Sequence, residues 1–200
     1  MTRTVLAAAL AVVLAGALAA AAPAHTTSPA ARRALTVNVV DMEFQPRSVS
    51  IGLGSSVIWR FRDGVPHTTT SNQGFWNSGN KSAGQTYVRA FTSAGRFAYF
   101  CKLHPHMTGS VAVPMRRSGT ATAGWTLRWS TKAGGSDRNF DVQVRRPGTS
   151  TWATFRTNTT RATAFFNPPR SGTYRFRART GNTSNGSHSG WSAVLTATIR

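Results

Sequence analysis

The chain has 200 residues and carries 24 cations against five acids, a net charge of +19 with neutral histidines. That length holds one large domain or two small ones, and that charge points to anionic partners. One cysteine excludes an intrachain disulfide framework, and beyond residue 24 no run approaches the ~20 apolar residues of a membrane helix.

Residues 1–24 carry one cation, Arg3, then an apolar run from Val5 to Ala22, and close on Ala22-Pro23-Ala24 before His25. This reads as a secretory signal peptide followed by an N-terminal linker at 25–34. A retained anchor is the alternative, but the run is Ala-rich and no charged stop-transfer cluster follows it directly. The mature protein is therefore expected to be secreted and extracytoplasmic, without a membrane span. It keeps 23 cations against five acids. An exported chain of this charge meets wall polymers, lipid head groups or acidic proteins, not nucleic acid. Of the 24 cations, 21 are Arg, which coding bias alone would also produce.

The lone Cys101 is an anomaly in an oxidising compartment. It is either buried and inert or held as a thiolate, and a metal is the usual holder.

From residue 35 onward, short runs rich in Val, Thr and aromatics alternate with Gly, Pro, Ser and Asn, and no helical period is sustained. The fold class is all-β. The first block, 35–114, has strands at Leu35–Val40, Ser48–Ile51, Val57–Arg62, Thr86–Phe91, Arg96–Cys101 and Gly109–Val113. Val57, Trp59 and Phe61 share one face while Arg60 and Arg62 share the other, as a half-wet sheet requires. Phe97, Tyr99 and Cys101 also share a face, which brings the cysteine inward at a strand end. A charged, turn-forming stretch, 115–122, reads as a linker.

The second block, 123–200, has strands at Trp125–Ser130, Phe140–Arg146, Trp152–Thr157, Arg161–Phe166, Thr173–Thr180 and Ala193–Ile199, enough for a small β-sandwich. With Trp129 on an early strand, the run Tyr174-Arg175-Phe176-Arg177-Ala178-Arg179 and the late Ser189-Gly190-Trp191-Ser192, it resembles a fibronectin type III domain. That resemblance implies that the strand at Tyr174–Arg179 pairs with Phe140–Arg146. Arg145, Arg175, Arg177 and Arg179 then line an outer face suited to an anionic cell-wall polymer or an acidic partner, unless they form only a solvated edge.

The run Cys101-Lys102-Leu103-His104-Pro105-His106-Met107 concentrates metal donors in seven residues, and His67 follows Gly64-Val65-Pro66 upstream. One thiolate, two imidazoles and a weak axial thioether suit a copper ion exchanging one electron, since such a set changes little between oxidation states. Structural zinc is completed by Cys, His or carboxylate and leaves Met107 unused. A Cys nucleophile with a His base fits the spacing but leaves Met107 unexplained. His106 competes with His104, but it stands directly before Met107, too close for the thioether to approach from the opposite side. His25, at the new amino terminus, is a weaker copper donor.

Phe44-Gln45-Pro46, Val57-Ile58-Trp59, His67, Gly95-Arg96-Phe97-Ala98-Tyr99-Phe100-Cys101-Lys102-Leu103-His104 and Met107-Thr108-Gly109-Ser110-Val111-Ala112-Val113 stand in the order of a cupredoxin. The first block resembles the plastocyanin and amicyanin group, with a short amicyanin-like loop. The family often has Asn after the first His, where this chain has Thr68; the amide there still reaches the sulfur, and some rigidity is expected to be lost.

The expected function is a secreted blue-copper protein, expected to be monomeric, holding one copper ion through His67, Cys101, His104 and Met107. Four protein ligands leave no substrate position, so it is expected to be an electron carrier and not an enzyme. The resemblance implies electron exit at His104, with Leu103, Pro105 and His106 as the docking surface for a redox protein. Copper storage or delivery, or wall adhesion with a copper site, are the alternatives.

Overall fold

The computed structural model describes Met1 and residues 34–200, so the expected signal peptide and His25 lie outside the described residues, apart from Met1. Residues Arg32–Arg200 form one compact unit. The described residues fold entirely as strands, turns and irregular segments, and no helix among them is long and apolar enough to cross a membrane.

The first block contains β1 (Ala34–Val40), β2 (Glu43–Gln45), β3 (Ser48–Ser50), β4 (Ser56–Phe61), β5 (Thr70–Ser71), β6 (Thr86–Ala90), β7 (Gly95–Phe100) and β8 (Thr108–Val113). They form two sheets, in the orders β2-β1-β4-β6 and β3-β8-β7-β5. The β1–β4 and β3–β8 pairs are parallel and the rest antiparallel. The period-two alternation decides which side chains go in: Val57, Trp59 and Phe61 are buried while Arg60 and Arg62 stay exposed. Trp59 is the hub of the core, edge-on to Tyr99 at 5.4 Å and beside Trp76 and Tyr87 at 6.1 and 5.8 Å. Such pairs contribute about 0.5–1.5 kcal/mol each beyond the area they bury. They hold Tyr99 on β7, and two residues later the same face delivers Cys101, fully buried.

The second block contains β9 (Arg116–Thr120), β10 (Gly124–Arg128), β11 (Arg138–Arg145), β12 (Ala153–Thr159), β13 (Thr163–Phe166), β14 (Gly172–Asn182) and β15 (Leu195–Ile199). Three strands order as β13-β10-β9 and four as β12-β11-β14-β15. Leu127, Trp129, Phe140, Val142, Tyr174, Phe176 and Ile199 fill a separate core.

One expectation needs correction. Residues 115–122 are not an irregular linker, because they carry β9, which pairs along β10 from Arg128↔Arg116 to Gly124↔Thr120. Met115 is buried in the second core, and Arg117 lies over the Trp125 ring at 4.0 Å. An edge strand can keep all five of its residues exposed, so its arginines and glycine imitate a loop in sequence.

The two blocks also touch through β7. The Ala94 amide donates to the Trp129 carbonyl at 2.7 Å, and Arg96 and Gly190 exchange a pair of 2.8 Å backbone bonds. The buried Thr180 hydroxyl lies 2.8 Å from Ser93 Oγ and 2.9 Å from the Ala94 carbonyl. These contacts gather at the start of β7, whereas Cys101 follows its end. At ~3.4 Å per residue the two ends stand roughly 20 Å apart.

Candidate metal centre

His67 follows β4 through Pro66, and a two-way backbone bridge to Lys81, at 2.9 and 2.8 Å, fixes its position. Cys101 and Met107 are tied across the mouth of their loop, with the Cys101 amide donating to the Met107 carbonyl at 3.0 Å. The Met107 amide donates to the His104 carbonyl at 2.9 Å. Three loops thus converge at one end of the sandwich, and the donors arrive on a frame already closed by backbone bonds.

Nδ1 of His67 and Nδ1 of His104 lie 3.1 Å apart, and they stand 3.8 and 3.6 Å from Cys101 Sγ. His67 and Cys101 are buried and His104 is half-buried. His67 Nε2 faces Asp63 Oδ2 at 3.0 Å, an off-line approach that is an electrostatic contact more than an aligned hydrogen bond. The carboxylate favours the ring proton on Nε2, which leaves the Nδ1 lone pair turned toward the other two donors. Burial first, and then His104, push the His67 imidazole below its ordinary value, against the pull of Asp63. A neutral ring is the form that ligates.

Two ring nitrogens and a sulfur so close need a proton or a metal cation among them. Metal–donor bonds run at about 2.0 Å to nitrogen and 2.3 Å to sulfur, so donors at these separations could be held by one ion. One thiolate and two imidazoles are the donor set that would suit copper. Met107, 2% exposed, lies in the same loop and within the core.

The Thr68 amide donates to Cys101 Sγ at 3.2 Å, as expected. The Thr68 hydroxyl accepts the Lys102 amide at 2.8 Å and lies 3.0 Å from Thr70 Oγ1. Thr70 in turn donates to Asn77 Oδ1 at 3.2 Å.

His106 is exposed, its ring centroid 6.3 Å from that of His104. Leu103 and Pro105 are exposed on the same loop, and Val65, on the loop that carries His67, is exposed as well. The four arginines are elsewhere: Arg145, Arg175, Arg177 and Arg179 lie half-buried on β11 and β14.

A family model described as copper binding proteins, plastocyanin/azurin family, matches residues 31–114. Amicyanin-alpha of Methylorubrum extorquens is 32% identical over 112 residues, covering 54% of this chain and 94% of that protein. The chain belongs to the plastocyanin/azurin family of copper binding proteins. Amicyanin of Paracoccus denitrificans is 30% identical over 108 residues, covering 49% of this chain and 82% of its own. A solved structure of a reduced Cu(I) amicyanin variant is 27% identical, covers 40% of this chain and 81% of that one, and superposes with a TM-score of 0.39. This cupredoxin accordingly binds one copper ion, with His67, Cys101 and His104 as the candidate ligand group.

Asp63 and the Thr68 hydroxyl were not singled out from sequence. Asp63 had a signal, since it is one of only five acids in the chain and stands four residues before His67.

Proposed function

We propose that the protein is an exported blue-copper carrier of single electrons, in which His67, Cys101, His104 and Met107 would hold the ion. The observation that carries this reading is the 3.1, 3.6 and 3.8 Å donor triangle on a backbone-closed frame. When bound, copper supplies a one-electron couple, and a fixed donor set keeps the rearrangement between its two states small. The Thr68 amide stabilises negative charge on the Cys101 sulfur, and Asp63 orients the His67 ring. Export follows from the signal-like residues 1–24.

Three protein donors and a thioether leave no position for a substrate, which favours a carrier over an enzyme. His104 is the half-buried member of the donor triangle, and its loop displays Leu103, Pro105 and His106. A small apolar rim suits brief docking of a redox protein. Replacing Leu103 by Asp is expected to slow electron self-exchange between oxidised and reduced copies while copper stays bound. An unchanged rate would remove Leu103 from the docking surface.

The second block is read as fibronectin type III-like. Support comes from its three-plus-four strand division and from the Tyr174 hydroxyl, which donates to the Arg170 carbonyl at 2.9 Å and closes a corner of the kind found in such sandwiches.

The carrier reading is tested by cycling the copper-loaded chain with a small one-electron reductant and oxidant in the presence of a Cu(I) chelator. Repeated bleaching and recovery of colour with copper retained supports it. Transfer of copper to the chelator on first reduction would favour delivery instead.

A further inference from the structure

Beyond the copper site, the outer face of the sheet β12-β11-β14-β15 carries an unusual concentration of positive charge. In the register of β11 and β14, Arg145 stands directly opposite Arg175, Gln143 opposite Arg177 and Asp141 opposite Arg179. Directly opposed side chains share a face, and like charges in that position destabilise the sheet. Trp152 and Trp191 are interleaved among them. Arg145 and Arg177 lie over Trp152 at 5.3 and 4.4 Å, and Arg177 and Arg179 over Trp191 at 4.7 and 4.8 Å.

Little on this face neutralises them. Residues 115–200 contain two acids, Asp137 and Asp141. Asp137 is engaged by Arg138 at 2.8 Å, and Asp141 by Arg179 at 2.9 Å. Arg177 reaches only the neutral Gln143, at 2.9 and 2.7 Å, and the buried Nε of Arg145 has no hydrogen-bond partner among the described residues. Burial first, then the charges of Arg145 and Arg179, push the Arg177 guanidinium below its ordinary value.

We propose that Arg145, Arg175 and Arg177 form a docking surface for a linear phosphate-bearing polyanion. Guanidinium groups stacked on indoles are held in place before a ligand arrives, so less side-chain freedom is lost on binding. Arg175 and Arg177 alternate along β14 and repeat every ~7 Å, a periodic row suited to a periodic polymer. Arg145 and Arg175 are directly opposed in the register and so stand on the same face of the sheet. The two free oxygens of each in-chain phosphate can accept from neighbouring guanidinium groups, and the next phosphate along the polymer carries the next charge. The surface also lies away from the metal end, because Thr180, five residues further along β14, contacts Ser93 at the start of β7. A polymer held there leaves His104 free, and the surface acts as a tether.

The test uses the full copper-loaded chain lacking residues 1–24 and long-chain inorganic polyphosphate as the probe, with affinity followed through tryptophan fluorescence across a salt series. R145Q/R175Q is expected to bind at least tenfold more weakly at fixed salt, with the salt slope reduced by about two. R60Q/R62Q, which removes the same charge from the end of β4 and the residue after it, is expected to change affinity less than threefold. R175Q alone, outside the tryptophan stack, is expected to lower the slope by about one with an unchanged near-ultraviolet dichroism spectrum. Equal losses in the β4 and β11/β14 pairs would overturn the proposal in favour of diffuse charge. Polyglutamate binding as tightly as polyphosphate would overturn it in favour of an acidic protein.

Discussion

Asp63 Oδ2 lies 3.0 Å from His67 Nε2, and the same carboxylate accepts the amides of Asp41 and Met42 at 2.8 and 3.0 Å. Both turn residues have positive φ, 54° and 57°, a costly region for side chains that carry a Cβ. One carboxylate therefore holds the turn between β1 and β2 and orients an imidazole donor.

Asp63→Asn keeps the shape and removes the charge. Carboxylates behind histidine ligands are worth about 10–100-fold in metal affinity, so Cu(II) affinity measured by chelator competition is expected to fall within that range. Unchanged affinity, with the fold intact, would show that the carboxylate serves the turn alone.

Thr68→Val preserves volume and removes the acceptor of the Lys102 amide. Leaving that amide unpaired costs about 1–3 kcal/mol, to be read from urea unfolding of the copper-free chain. Thr68→Ser is expected to recover most of the loss. Equal stability of Val and Ser variants would rule out the hydroxyl as the brace.

Asp141 supplies a pH signature. Burial alone would raise its carboxyl, but the Asn158 amide, the Arg179 guanidinium and the Thr157 hydroxyl outweigh that, and the group titrates below its ordinary value. A depressed folded-state value adds stability above the unfolded-state value, and this is lost as pH falls through the folded one. Wild type is therefore expected to exceed Asp141→Asn by about 1.5–3 kcal/mol at pH 7. The gap should close below about pH 4, as followed by denaturant unfolding across pH. A gap independent of pH would mean that the charge of Asp141 is not what stabilises.

Much of this was legible in sequence because burial alternates along long strands. Val57-Ile58-Trp59-Arg60-Phe61 and Phe97-Ala98-Tyr99-Phe100-Cys101 each declare an inward face, and the second places the cysteine. β2 and β5, with three and two residues, are too short for alternation to register. β9 was hidden because an exposed edge strand has the composition of a loop. Asp63 and the Thr68 hydroxyl act through loops brought together by the fold, from Asp41 to Asp63 and from Thr68 to Lys102, and no local spacing reveals such partners.

The most direct test of the central claim is the visible spectrum of the copper-loaded chain beside Cys101→Ser. A thiolate ligating copper beside two imidazoles is expected to give the oxidised protein a strong blue colour that bleaches on one-electron reduction and is absent from the Ser variant. A pale Cu(II) protein, or a blue colour that survives in Cys101→Ser, would contradict the assignment of Cys101 as a copper ligand.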